Sequence, residues 1–310
     1  MTALAFPGQG SQLVGMGRDL VEAYPAARDT FAEADECLGF CISKMCFEGP
    51  EETLNDTYNT QPAILTASIA AWRALQSTGF SAGPDFVSGH SLGEYSALVV
   101  SGVLSFADGL HLVRERGRLM KLAGERNPGG MAAVLKLDDA TVEDICARAS
   151  QGHGSVVQVA NYNTPGQVVI SGHRDALERA IQLAEAAGAR RVARLAVSIA
   201  AHSPLMAGIV EEFRHTVGST PMQPPQTPVV ANVTARPLSG VEDVRREMVD
   251  QLTSPVRWVE SVEYLAAQGV ARCIEVGPKE VLTGMIPRIN KNISAAACGT
   301  ASAVRALAAM

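Results

Sequence analysis

The chain has 310 residues, 47% hydrophobic and 19% charged, enough to bury one large or two modest cores. A formal net charge of −6 excludes the strong basic surface that general nucleic-acid binding requires. No apolar run approaches the ~18 residues of a transmembrane helix, and MTALAFPGQG lacks the basic and long apolar regions of a signal peptide, so a cytoplasmic protein with no membrane partner is expected.

In chain order, Leu4-Ala5-Phe6 reads as a first strand that runs into the Gly-rich loop Pro7-Gly8-Gln9-Gly10-Ser11-Gln12. That loop lacks both the G-x-x-x-x-G-K-[ST] and the G-x-G-x-x-G spacings, so it reads as a device for bringing backbone N–H groups close to a site. Helical patterns follow at 17–24 and 25–38, and the more uniformly apolar stretch 61–76 fits a helix buried between sheet and surface. Asp85-Phe86-Val87 is then a short strand, Gly89-His90-Ser91-Leu92-Gly93 fits G-x-S-x-G, and 94–101 is rich in helix formers with Gly102 placed to end the helix. Strand, sharp turn, serine and helix together are the context of a nucleophile elbow. The plainer alternative is a Gly/Ser turn that starts a helix. Ser105-Phe106-Ala107-Asp108 matches a capping box, and Leu110, Val113, Gly117 and Met120 form an apolar stripe behind it. Arg114, Arg116 and Arg118 lie on the same helix and, on pattern alone, read as solvated charges.

Asn127-Pro128-Gly129-Gly130 is a loop and a boundary. Beyond it, strands at 131–137, 156–160, 167–171 and 191–197 alternate with helices at 141–149 and 175–187, the latter closed by Gly188. This β-α-β-β-α-β order predicts a ferredoxin-like small domain over 129–198. Residues 1–128 and 199–310 are expected to form the larger, α/β-hydrolase-like domain around one mainly parallel sheet. Its second half has a helix after Ser203-Pro204, strands at 228–233 and 271–276, helices at 241–252, 257–268 and from 279, and a short helix in the Ala-rich tail. The six cysteines (Cys37, Cys41, Cys46, Cys146, Cys273 and Cys298) form no C-x-x-C pair and have no nearby His at ligand spacing. Buried free thiols and no metal are expected.

A serine needs an adjacent base, and His is the usual one. His90 sits inside the elbow, where its side chain points away from that of Ser91. His111 lies on the next helix, His153 and His173 fall in the small domain, and His215 is mid-helix on the surface. His202 stands where the chain re-enters the larger domain, after a strand-like run and before a helix start, and is the candidate base. A hydrolase triad would add an acid on a strand end between the two, but Asp138, Asp139, Asp144 and Asp175 fall at helix starts, where caps are the plainer reading. A dyad whose imidazole is held by a backbone carbonyl fits that lack.

Phe6-Pro7-Gly8-Gln9-Gly10-Ser11-Gln12, Gly89-His90-Ser91-Leu92-Gly93-Glu94-Tyr95, Arg116-Gly117 and Ala201-His202-Ser203 occur in the order of the malonyl-CoA:acyl carrier protein transacylases, which the chain resembles from about residue 4 to 290. Gly130-Met131-Ala132-Ala133-Val134, Asn161-Tyr162-Asn163-Thr164-Pro165-Gly166-Gln167 and Glu275-Val276-Gly277-Pro278 are similar to that family too. The resemblance implies Ser91 as nucleophile, His202 as base and later acid, and the backbone N–H groups of Gln9 and Leu92 as oxyanion hole. It implies that the Gln251 main-chain carbonyl holds the His, that Arg116 pairs its planar fork with the free carboxylate of the acyl group, and that Met131 and Ala201 face the substrate. Malonyl-CoA is then the substrate, acyl carrier protein the partner, no cofactor is bound, and the enzyme is a monomer. Ala201 departs from the commoner Phe or Ser before the His, which leaves room for substituted malonyl groups. Carrier docking would call on a basic patch, such as Arg190, Arg191 and Arg194 or Lys279, Arg288 and Lys291. Alternatives stay open: an acyltransferase serving a polyketide synthase or a malonate decarboxylase, an acyl-thioester hydrolase, or a catalytically idle docking protein.

Overall fold

The structure, a computed structural model, describes all residues except 81, 82, 153, 198 and 310, so the reading of His153 lies outside the described residues. Thr2–Phe6 (β1), almost wholly apolar, is buried along its length and forms the middle of a five-stranded sheet. The chain then makes Arg18–Ala23 (α1), Pro25–Leu38 (α2), Ile42–Glu48 (α3), Glu51–Asn55 (α4) and Thr57–Ser77 (α5) before Phe86–Gly89 (β2) pairs parallel to β1. Gly93–Val100 (α6) and Phe106–Arg126 (α7) follow, and Ser105 caps α7 by accepting the Asp108 N–H.

The next segment builds a separate antiparallel sheet from Gly129–Leu135 (β3), Asp139–Ser150 (α8), Val157–Thr164 (β4), Gln167–His173 (β5), Arg174–Ala186 (α9) and Arg191–Arg194 (β6), in strand order β4-β5-β3-β6. A 3-10 turn at Pro204–Ile209 leads into Val210–Ser219 (α10), Val229–Val230 (β7), Val241–Asp250 (α11) and Trp258–Ala267 (α12). Arg272–Val276 (β8), Val281–Ile289 (α13), Ser294–Cys298 (β9) and Ala301–Ala308 (α14) complete the chain. The first sheet runs β7-β2-β1-β8-β9 with every pairing parallel.

Parallel strands are buried on both faces, which is why β1 reads as an apolar run; β2 and β8 are buried as well, although they carry Ser88 and Glu275. One large core packs α2, α5, α6 and α7 on one face of this sheet, and a second packs α12 and α13 on the other. The four-stranded sheet has its own core with α8 and α9.

Several boundaries differ from the sequence reading. The helix expected at 61–76 begins at Thr57, with the Asp56 side chain accepting the Tyr58 N–H at 3.0 Å, so Pro62 lies inside it rather than marking its start. The strand expected at 191–197 stops at Arg194, the one at 228–233 keeps two residues, and α3, α4 and β9 were not foreseen. The thiols are a partial correction: Cys46, Cys146, Cys273 and Cys298 are buried, whereas Cys41 is exposed and Cys37 half-buried. Among the described residues no helix is long and apolar enough to cross a membrane.

Candidate active site

Strands β1 and β2 lie side by side in register, Phe6 against Gly89, so the loops leaving their carboxyl ends meet. That is where open parallel sheets place their ligand sites. The His90 N–H donates to the Phe6 carbonyl at 2.9 Å, which stitches the two loops together at their base. The approach is too close for side chains. A Cβ on Gly8 would stand 2.4 Å from the His90 carbonyl oxygen, one on Gly89 would stand 2.0 Å from the Gly93 carbonyl carbon, and one on Gly93 would stand 1.9 Å from the Phe6 carbonyl oxygen. Between these glycines Ser91 takes φ 50, a left-handed conformation that costs of order 1–3 kcal/mol and is typical of a nucleophile elbow. Gln9 and Leu92 reach the same cavity as Ser91, and neither backbone N–H has an acceptor among the described residues.

The Ser91 hydroxyl lies 2.8 Å from Nε2 of His202. Nδ1 of His202 lies 2.8 Å from the Gln251 carbonyl oxygen, which can only accept, so Nδ1 carries the proton and Nε2 offers its lone pair to the serine. His202 is itself left-handed, at φ 57, and its carbonyl accepts from the Gln158 side chain at 2.7 Å, a contact that reaches across from β4. Burial, followed by the nearby Arg116 charge, pushes the His202 imidazole down to about 3. The base is therefore neutral over the whole ordinary pH range. A half-buried serine hydroxyl against a neutral, oriented imidazole is poised to lose its proton to nitrogen.

Arg116, read from pattern as a solvated charge, is only 1% exposed. Gly117 lets α7 come this close to α5, since a Cβ there would stand 2.7 Å from the Thr57 carbonyl oxygen. The guanidinium donates to the Gln61 side-chain oxygen at 2.8 Å, to the Gln251 side-chain oxygen at 2.9 Å and to the Ser91 hydroxyl at 3.3 Å. Its Nε is buried without a partner, and the Tyr95 ring lies beneath it at 5.3 Å. A cavity of about 130 Å³ opens between Arg116, Ser91 and His202, with Met120, Met131, Val197 and Ala201 on its walls. It has space for a short acyl group but not for a long chain.

The structure thus brings together Ser91, His202, Gln9, Leu92, Arg116, Met131 and Ala201, with Gln251 just behind the cavity wall. Gln61, Gln158, Asn232 and Glu94 were missed. Asn232 accepts the Ser91 N–H at 2.6 Å and donates to the Gly89 carbonyl at 2.6 Å. Glu94, 1% exposed, accepts the Asn232 N–H at 3.1 Å and a short bond from the Gln251 amide. Burial and the neighbouring Glu247 carboxyl push Glu94 well above the usual carboxylate range, and burial pushes Glu247 up to about 7. Glu94 follows the elbow directly in sequence, and a Glu on the otherwise uncharged α6 was the one available signal.

Residues 4–303 match the family described as the acyl transferase domain. The chain is 45% identical over 304 residues to the malonyl CoA-acyl carrier protein transacylase of Escherichia coli strain K12, an alignment covering 98% of this chain and 97% of that one. A crystal structure of an acyl carrier protein S-malonyltransferase from Vibrio cholerae superposes with a TM-score of 0.95 at 44% identity, over 99% of each chain. A structure described as a type II PKS acyl-carrier protein in complex with its malonyl-transacylase superposes with a TM-score of 0.96 at 42% identity, again over 99% of each chain.

Proposed function

The chain belongs to the acyl transferase domain family, and from that premise we propose that it moves a malonyl group from malonyl-CoA to the phosphopantetheine thiol of acyl carrier protein through a malonyl ester on Ser91. The observation that carries the reading is Arg116. A buried guanidinium with an unpartnered Nε, 3.3 Å from the serine hydroxyl, suits an acyl group that ends in a carboxylate. A general esterase has no use for such a charge.

In the first half-reaction the Ser91 hydroxyl gives its proton to Nε2 of His202, and its oxygen attacks the thioester carbon. The carbonyl oxygen becomes an oxyanion between the N–H groups of Gln9 and Leu92. Ser91 cannot supply a third donor, because its own N–H is engaged by Asn232. The intermediate collapses, the C–S bond breaks, and the CoA thiolate leaves with the proton from His202. In the second half-reaction the carrier thiol gives its proton to His202 and its sulfur attacks the serine ester, returning the proton to Ser91 as the ester C–O bond breaks. The product is the malonyl-carrier extender that fatty-acid or polyketide assembly consumes.

Two further features support this reading. A second hollow of about 360 Å³ shares Gln9, Thr57, Val197 and Ile199 with the first, a route for a long arm; Lys121 there is paired with Asp56, and Arg174 and Glu125 also line it. We also read 129–198 as a ferredoxin-like domain inserted into an α/β-hydrolase-like domain of 1–128 and 199–310. The support is the strand order β4-β5-β3-β6 and the separate apolar core of that segment.

The test incubates enzyme, malonyl-CoA and carrier protein, then weighs the carrier and measures free malonate. Loaded carrier is expected, and malonate alone would make the protein a hydrolase. Ser91→Ala is expected to remove the acyl-enzyme, and a mass gain of one malonyl unit on that variant would overturn the assignment of the nucleophile.

A further inference from the structure

The residues around the reacting pair form a closed hydrogen-bonded ring that the proton-transfer chemistry does not itself use. The Ser91 N–H donates to the Asn232 side-chain oxygen at 2.6 Å, and the Asn232 backbone N–H donates to one oxygen of Glu94 at 3.1 Å. The other oxygen of Glu94 accepts from the Gln251 side-chain amide, which also donates to the Ser91 carbonyl at 3.1 Å. The ring therefore holds both peptide groups that flank the Ser91 Cα. The second polar atom of the Asn232 carboxamide spans the turn, donating to the Gly89 carbonyl at 2.6 Å.

Asn232 is fully buried, and its own carbonyl accepts the Arg257 N–H at 2.9 Å, which anchors it to the start of α12. Gln251 is likewise fully buried, and its backbone carbonyl is the acceptor that orients His202. A single hydrogen-bonded unit thus reaches the backbone of the serine and the atom that aims the histidine. A carboxamide fits here whatever the pH, because one end must accept an N–H while the other donates to a carbonyl.

We propose that Asn232 is a positioning residue for Ser91: its carboxamide clamps the strained turn across Gly89 and Ser91 and, through Glu94 and Gln251, fixes the serine relative to the carbonyl that orients His202. The inference rests on Ser91 and His202 being the reacting pair, as in the transfer proposed above. A left-handed serine relaxes once its N–H is released, and a displacement of about 1 Å is enough to cost about 10²-fold in rate.

The test measures Ser91 reactivity in two ways, by rate of labelling with a fluorophosphonate and by rate of acylation from malonyl-CoA. The labelling arm reads the serine even if malonyl-CoA is not the donor, so failure of the transfer reading is kept separate from failure of this one. Asn232→Ala is expected to lower both maximal rates about 10²-fold with KM for malonyl-CoA within about twofold. Asn232→Asp keeps the volume and is the sharper variant. Its carboxyl, when protonated, donates to Gly89 and accepts from Ser91; when ionised, it faces the Gly89 carbonyl and the Glu94 and Glu247 carboxyls, with Arg116 and His202 on the far side of the ring. The ratio of its labelling rate to wild type is expected to fall at least tenfold as pH rises from 5 to 8. A ratio independent of pH, or a folded Asn232→Ala protein labelled within twofold of the wild-type rate, would overturn the proposal.

Discussion

The low basicity of His202 makes a prediction that separates this site from an exposed serine–histidine pair. An imidazole at the ordinary value of 6.5 would be only about 3% neutral at pH 5, so acylation would slow roughly 30-fold between pH 8 and pH 5. With the value pushed down to about 3 by burial and by Arg116, about 99% stays neutral at pH 5. The value of kcat/KM for acylation reports the free enzyme, and is therefore the quantity to follow, by rapid-quench mass measurement of the acyl-enzyme. It should stay within about twofold from pH 8 to pH 5. A loss tracking a group near 6.5 would refute the reasoning. The same shift has a stability consequence whose sign is fixed. The folded value lies below the unfolded one, so between about 3 and 6.5 the unfolded chain binds the extra proton and the fold weakens as pH falls. This residue alone would lower stability by about 2 kcal/mol at pH 5, so the kinetics should be paired with circular dichroism to show that the enzyme is still folded.

Three substitutions probe the rest of the site. Gly93→Ala drives a Cβ to 1.9 Å from the Phe6 carbonyl oxygen, inside a sheet that cannot yield, and should cost at least about 3 kcal/mol in denaturant unfolding. Arg116→Lys keeps the charge but loses the planar fork, and kcat/KM with malonyl-CoA should fall about 10²-fold; a change under threefold would argue that the fork is not what the substrate meets. Ala201→Phe fills the cavity wall and should reject methylmalonyl-CoA more strongly than malonyl-CoA, with equal rejection by wild type and variant counting against a role for the small residue.

The elbow was legible because its chemistry is local: two glycines, a serine and a following helix are consecutive in sequence, and both glycines are forced by sub-contact distances in the fold. His202 was legible by elimination among a few imidazoles. Arg116 was legible only through the family resemblance, since a charged residue between two other arginines on a helix carries no pattern that says buried; the fold, with Gly117 letting α7 sit against α5, makes it so. Gln61 and Asn232 were illegible for the same reason. Each acts on a partner at least 55 residues away in sequence, and an amide in a helix or at a strand end looks like any other polar residue. The missed elements were those with weak local signals. Helices α3 and α4 are short and lack a side-chain cap, and β9 is a strand of Ser, Ala and Cys that packs by smallness at the sheet edge. Strand β6 ends at Arg194, although the Leu195 N–H still donates to the Met131 carbonyl at 2.9 Å, and Leu195 and Val197 then wall the cavity.

Arg116 connects recognition to chemistry. Among the described residues its side-chain acceptors in the free protein are neutral, Gln61, Gln251 and Ser91, and its field is one reason His202 is so weak a base. A carboxylate placed on the guanidinium cancels most of that field, and the imidazole then becomes a stronger base at the moment an acyl group with the right tail is bound. The carbonyl of Gln251 orients His202 but brings no negative charge to stabilise the imidazolium, so the substrate carboxylate supplies part of what an acidic third residue would. Discrimination against acyl groups without a carboxylate should therefore appear in the maximal rate of acylation as well as in binding. Comparing malonyl-CoA with acetyl-CoA by single-turnover mass measurement at saturating donor, the acetyl rate should be at least about tenfold lower. Equal saturated rates, with the whole difference in KM, would show that Arg116 only binds the substrate and leaves the base as it was.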